Sequence, residues 1–188
     1  MTQHVTEYCG AFVYQDNTLQ MVLTPEGRLL KTSEEFDCQY YLKDHLGNVN
    51  VVFREDRTTH LAVIVQEDQF YPFGMKLGNL SSTSDIANKF LYQGKELLDN
   101  AIDQNSDGIT DRYLNWYDFG ARQFDPQLCR WHVPDPANQH PSPYLAMSNN
   151  PVSFIDPDGL RDTGNWINDY TVWYTSPLGY IIKQFRHE

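Results

Sequence analysis

Two short stretches carry residues whose types and spacing can do chemistry. In "DNAIDQNSDGITDRYL", Asp103, Asn105, Asp107 and Asp111 fall at positions 1, 3, 5 and 9 of a calcium-loop pattern, with Gly108 at position 6. Oxygen side chains alternating along a tight loop can converge on a hard cation, and Ile109 can add its carbonyl. Leu114 stands at position 12 in place of a bidentate glutamate, so this is not a full EF-hand. A weak Ca²⁺ site and a solvated acidic loop both stay open as readings. On the first, Ca²⁺ raises the melting temperature modestly, because a bound cation offsets the entropy of ordering the loop and relieves carboxylate repulsion. Equal melting curves in millimolar Ca²⁺ and in chelator sink that reading. So does an Asp103→Ala, Asp107→Ala variant that responds like its parent.

The second stretch is "IDPDGL". Asp156 suits the first position of a type I turn, Pro157 fixes φ at the next, and Gly159 fits the fourth. The stretch is therefore a tight turn, and the question it leaves is whether the turn also marks a cut in the chain. The other reactive residues add no site. Cys9, Cys38 and Cys129 have neither the number nor the spacing of a disulfide framework or a zinc site, and suit small buried positions. The six histidines are scattered. "YQGKELL" lacks the glycine-rich loop that phosphate binding at Gly94-Lys95 needs.

The elements that must position these residues read mainly as strands. At 188 residues the chain is one domain, or one domain with a tail, long enough to bury a core. Aromatic residues reach 14%, with twelve tyrosines and ten phenylalanines, which suits half-buried sheet surfaces. A net charge of −11 repels nucleic acid and anionic membranes. The sequence shows no signal peptide and no apolar run of membrane-spanning length, so the expectation is a chain made in the cytoplasm, soluble unless a larger secretion system exports it.

"AFVYQDNTLQMVL" places two apolar runs around an Asp16-Asn17 turn, and "TPEGR" supplies the next turn. "CQYYLKDHLGNVNVVF" predicts a hairpin, Tyr40 to Lys43 and Val49 to Phe53. "LAVIVQEDQFYPFG" predicts a further strand pair, and "NKFLYQGKELL" and "RYLNWYDFGARQFDP" resume the pattern after a polar stretch from Leu77 to Asp85. "SPYLAMSNN" predicts one short helix capped by Ser142. "INDYTVWYTSPLGYIIKQF" predicts a terminal hairpin around Ser176-Pro177-Leu178-Gly179. The weak recurrence of aromatic-then-acidic strands implies antiparallel hairpins in a row, whose edges need a cap or a partner.

"YYLKDHLGNVNVVF", "YPFGM", "YQGKELL", "LNWYDFGARQFDPQLCRWHVPDP" and "NNPVSFIDPDG" together, in this order, resemble the RHS repeat-associated core domain from about Tyr8 to Leu160. The resemblance implies a mainly β, YD-repeat-like hairpin sheet, a fragment of the RHS shell, with a small loop and short-helix core plug. It implies residues 1–76 as RHS-like hairpins, 77–160 as the core with a self-cleavage motif, and 161–188 as a tail. The family, bacterial polymorphic toxins among its members, encloses or releases variable C-terminal regions. Its core is similar to an aspartyl peptidase that cuts its own chain after the leucine of a DPxGL motif.

Carried onto this sequence, the resemblance implies Asp135 in "VPDPAN" and Asp156 in "IDPDGL" as the catalytic aspartates, Arg122 in "GARQFDP" as their support, and Leu160–Arg161 as the scissile bond. Where many members have glycine, this chain has Asn138, which tolerates left-handed backbone geometry. His45 in "KDHLGN" belongs to a family motif and has a structural role. Two neighbouring carboxylates hold one proton between them: the ionised one takes a proton from water and the protonated one bonds the peptide carbonyl. Such a module needs no cofactor, apart from the Ca²⁺ option, and turns over once. Its expected partner is the rest of an RHS shell, or a protein completing the sheet. The alternative is a non-catalytic scaffold of the same family with an idle site. The isolated chain is expected to cut slowly or not at all, because a missing shell would otherwise clamp the two aspartate loops together.

Overall fold

The computed structural model describes residues 5–33, 35–77, 87–99, 101–102 and 112–164. Its largest sheet is an antiparallel meander of seven strands in chain order. The strands are β1 Thr6–Cys9, β2 Phe12–Gln15, β3 Thr18–Thr24, β4 Gly27–Lys31, β5 Phe36–Lys43, β6 Val49–Glu55 and β7 Ala62–Glu67. Local chemistry sets the turns. Asp16 and Asn17 both take positive φ, 50° and 61°, giving the two-residue turn whose twist matches a hairpin. At the β5–β6 turn the Asp44 carboxylate accepts from the amides of Leu46 and Asn48 and from the Asn48 side chain, and Gly47 takes φ +83°.

Alternation gives this sheet two faces. Gln39 and Tyr41 of β5 point inward, with Arg28, Leu30, Val52 and Val65 buried beside them. Phe36, Cys38, Tyr40 and Leu42 point outward, where Tyr40 stacks on Phe53 at 5.6 Å. The inner face carries the rest of the chain. Tyr41 Oη bonds Asn88 Oδ1 at 3.0 Å, the Asn88 amide donates to Gln66 Oε1 at 2.6 Å, and Gln93 N donates to Asn48 Oδ1 at 2.8 Å.

The second part is a plug. Its four-stranded antiparallel sheet, in the order β13-β12-β11-β8, consists of β8 Glu96–Leu98, β11 Trp116–Asp118, β12 Gln123–Asp125 and β13 Arg130–Trp131. Leu91, Tyr92, Tyr117, Phe119, Phe124, Trp131, Ala146 and Met147 form one buried cluster there. The "YPFGM" turn closes over it. Gly74 has φ +83°, its carbonyl accepts from Tyr117 Oη at 3.0 Å, and a Cβ added to it would meet the Tyr92 ring at 2.4 Å. Gly74→Ala combines a strained backbone with an overfilled core and is expected to cost on the order of 3 kcal/mol in urea denaturation. A loss under about 0.5 kcal/mol would contradict this account of the packing.

Three local expectations need correction. The cysteines are not small buried residues: Cys9 and Cys38 are exposed, Cys38 on the outward face of β5, and Cys129 is half-buried. "LAVIVQEDQFYPFG" gives one strand, β7, followed by a single bridge from Phe70 to Lys76, because Pro72 and Gly74 bend the chain into the plug. "SPYLAMSNN" is not a helix capped by Ser142: Leu145 is extended and bridges Arg130, and the Pro143 carbonyl accepts from Asp135 N at 2.7 Å. Only Met147–Asn149 forms a helical turn in this stretch, and its three residues have positive φ.

Two short pairs complete the described structure. β9 Ala101–Ile102 pairs with β10 Arg112–Tyr113, closing the base of the stretch with Asp103, Asn105, Asp107, Ile109 and Asp111. That candidate cation loop itself lies outside the described residues, as does residue range 165–188 with the expected terminal hairpin. β14 Phe154–Ile155 pairs with β15 Thr163–Gly164, so the start of the tail pairs back onto the core. No helix among the described residues is long and apolar enough to cross a membrane.

Candidate active site: one arginine between two aspartates

Arg122, Asp135 and Asp156 meet in the plug, 4%, 7% and 1% exposed. Arg122 leads into β12 from the Gly120 turn. Its guanidinium lies 4.2 Å from the centre of the Trp131 ring, which fixes its plane. Its Nη2 donates to Asp156 Oδ2 at 3.3 Å, and its Nη1 stands 3.4 Å from Asp135 Oδ1, an ion pair without hydrogen-bond alignment. Its Nε donates to the Gly159 carbonyl. One side chain thus touches both aspartates and the residue that precedes Leu160.

Each carboxylate is held by its own turn. Asp156 Oδ1 accepts from the amides of Asp158 at 3.3 Å and Gly159 at 2.8 Å. This is the turn expected of "IDPDGL", tightened because Gly159 has φ +76° and lies against Phe119 and Arg122, leaving no room for a Cβ. Asp135 Oδ1 accepts from Ala137 N at 3.0 Å and its Oδ2 from Gln139 N at 2.9 Å. Asn138 takes φ 52°, so the left-handed position is occupied by asparagine.

The two environments push the carboxyls apart. Burial raises Asp156 to about 6, against the opposing pull of its two backbone amides and of Arg122. Burial also acts to raise Asp135, but the amides of Gln139 and Ala137, with Arg122 and His140, outweigh it and hold this carboxyl below its ordinary value. Between those values Asp135 is ionised and Asp156 is protonated.

The sign of the stability effect follows. The raised Asp156 means the folded chain binds the proton more tightly, so its contribution is complete below the ordinary value of 3.8 and is lost as pH rises to about 6. A rise of that size corresponds to ~3 kcal/mol. Asp135 acts in the other direction: its contribution is present above its ordinary value and is lost as pH falls through its lowered one. Asp156→Asn should therefore gain stability relative to its parent across pH 4 to 7, by up to ~3 kcal/mol. Denaturation midpoints at pH 4, 5, 6 and 7 check this, and a constant difference contradicts it.

The bond expected to be cut lies next to these groups. Leu160 is 40% exposed, its amide donates to Asp158 Oδ1 at 3.0 Å, and Arg161 is exposed. Sequence reasoning missed the other residues that hold this corner. Gln93 accepts the Asp156 amide through Oε1 at 3.0 Å, and Lys95 Nζ donates to the Pro157 carbonyl at 2.5 Å. Burial lowers the Lys95 ammonium, although Asp156, Asp158 and Asp118 pull it up. Both residues sit in "YQGKELL", a stretch that helped carry the resemblance without giving either residue a role at the site. His45 bonds the Val152 carbonyl through Nε2 at 3.1 Å.

The architecture defines a class before any single relative does: this is an RHS-like fold, mainly antiparallel β. Among solved structures, the complex TcdB2-TccC3 superposes with TM-score 0.61 over 84% of this chain and 8% of that one, at 20% identity. TcdB2-TccC3-Cdc42 gives 0.60 over 84% and 8%, at 20% identity. The Tc holotoxin pore of Photorhabdus luminescens gives 0.60 over 85% and 8%, at 19% identity. In sequence, the chain is 31% identical over 123 residues to Salivary gland surface protein 1 of Aedes aegypti, covering 64% of this chain and 3% of that protein. The chain thus spans a small part of each relative's length. No protein-family model matches it.

Proposed function

We propose that this chain is an RHS core module that hydrolyses its own Leu160–Arg161 bond once, with Asp135 as base, Asp156 as acid and Arg122 as their support. The observation that carries this is the single guanidinium of Arg122, which contacts both carboxylates and the carbonyl of Gly159. Ionised Asp135 takes a proton from water as the oxygen adds to the Leu160 carbonyl carbon. Protonated Asp156 bonds the carbonyl oxygen as charge develops there. The intermediate collapses by breaking the C–N bond, and the proton collected by Asp135 passes to the Arg161 nitrogen. A Leu160 carboxylate and an Arg161 amine result, with one water consumed.

In a longer protein this would separate the shell and plug from the region that follows. The neighbours are subunits of toxin complexes, which supports a role beside other RHS chains or partner proteins at the open edges of β1 and β7. The rival reading is a scaffold whose site is idle. The near-complete burial of Asp156 favours it, since a water must reach the dyad. Intact mass after prolonged incubation separates the two: one new pair of fragments, ending at Leu160 and starting at Arg161, supports the peptidase, and an unchanged mass supports the scaffold.

A further inference from the structure

The chain just beyond the proposed scissile bond is held by a second group of side chains. Gln139 brackets the backbone of Asp162: its Oε1 accepts the Asp162 amide at 3.1 Å, and its Nε2 approaches the Asp162 carbonyl at 3.5 Å. The Asp162 carboxylate, 7% exposed, receives Ser148 Oγ at 2.8 Å and His140 Nε2 at 3.1 Å on Oδ2. Histidine, serine and aspartate together suggest a hydrolytic triad, but the atoms rule it out. Asp162 and Ser148 both meet His140 at the same nitrogen, Nε2, and the Ser148 hydroxyl donates to Asp162, so the nitrogen that faces the serine is already engaged by the aspartate and is not placed to take the serine proton. The cluster is a grip.

Two further features tie this grip to the dyad. Gln139 N donates to Asp135 Oδ2 while its side chain holds residue 162, so one residue fixes the distance between the base and the downstream chain. Ser148 reaches Asp162 from the middle of Met147–Asn149, whose φ values of 47°, 50° and 56° are disfavoured for residues other than glycine and persist only where the surroundings enforce them. Upstream, Arg122 holds the Gly159 carbonyl and Asp158 holds the Leu160 amide. The bond between Leu160 and Arg161 is therefore suspended between two anchored points.

We infer that Gln139, His140 and Ser148 are positioning residues that set which bond the dyad cuts, by seating an aspartate two residues beyond it. This rests on the peptidase reading above. It makes Asp162 a specificity determinant of the substrate chain, whereas the exposed Arg161 is free to vary. The subsite takes a short carboxylate: a two-donor pocket for Oδ2 and a two-point hold on the backbone.

The test has two arms on the full chain. In an Asp156→Asn background, which cannot cut under that reading, hydrogen exchange is followed for residues 161–164 with and without Gln139→Ala. Exchange in that segment is expected to speed at least tenfold, while peptides from β3 to β6 keep their protection. In the active chain, Gln139→Ala and Asp162→Ala should each slow the Leu160–Arg161 cut at least tenfold, and Arg161→Ala should leave its rate within about twofold. Unchanged exchange in Gln139→Ala overturns the grip itself. A cut as fast in Gln139→Ala as in its parent overturns the positioning role while leaving the dyad intact. A parent that never cuts, with exchange still lost, removes the peptidase reading and the positioning role with it, and leaves a folding contact.

Discussion

Asp135→Asn and Asp156→Asn are each expected to leave the chain at full mass under conditions where, on the proposed function, the parent yields fragments ending at Leu160 and starting at Arg161. Asparagine at 156 can still accept both turn amides on Oδ1, whereas at 135 it keeps the Ala137 amide on Oδ1 and loses the acceptor that Oδ2 gives to Gln139 N. It removes the ability to take or give a proton. The expected loss is the whole proton-transfer contribution, roughly a hundredfold to ten-thousandfold. The parent's rate falls as pH rises past about 6, where Asp156 loses its proton, and falls again on the acid side, where Asp135 gains one. Time courses by mass spectrometry across pH 3 to 8 measure both limbs. A cut that survives both substitutions, or a cut elsewhere, would falsify the aspartyl mechanism and leave "IDPDGL" as a turn.

The largest effect on stability belongs to Arg122→Ala. It leaves two buried carboxyls without their shared cation, frees the Gly159 carbonyl, and strips the face of Trp131. Removing one partner from a buried charged cluster costs on the order of 3–5 kcal/mol. The loss should shrink in an Asp156→Asn background, where one of the two charges is gone, and the difference between the backgrounds measures the coupling. Arg122→Lys should recover only part, because an ammonium cannot hold two carboxylates and a carbonyl in one plane. Denaturation of the five chains at pH 7, the parent, Arg122→Ala, Arg122→Lys, Asp156→Asn and the double variant, decides the matter. An Arg122→Ala protein within about 1 kcal/mol of its parent would mean the cluster contributes little.

The hairpins were legible because their signals are local. Asp16-Asn17 and "KDHLGN" carry turn chemistry that no distant contact has to supply, and β5 alternates as a sheet strand must. The helix expected in "SPYLAMSNN" failed because the competing force was remote: Leu145 extends to meet Arg130, and Pro143 serves Asp135. The site divides the same way. Asp135, Asp156 and Arg122 were reachable through motif resemblance, and the "IDPDGL" turn through its own residues. Gln93 and Lys95 lie in a motif that gives them no role, and Gln139, His140 and Ser148 carry no pattern, since each acts on a backbone atom or side chain that only the folded chain brings near.

The meander of β1 to β7 also bears on time. Each of its strands pairs with its neighbour in sequence, so the sheet assembles from short loop closures, which are fast. The cluster around Arg122 closes later and over longer spans: 34 residues to Asp156, 37 to Gly159, and, where the sheet meets the plug, 88 from Tyr8 to Glu96. On a ribosome the meander can form while the aspartates are still being made. The contact of Arg122 with Asp156 forms only once the chain through Asp156 has emerged, and β15 pairs with β14 later still. The order of assembly is thus a clock, and on the proposed function the bond would come within reach of hydrolysis only after the chain upstream of it has folded.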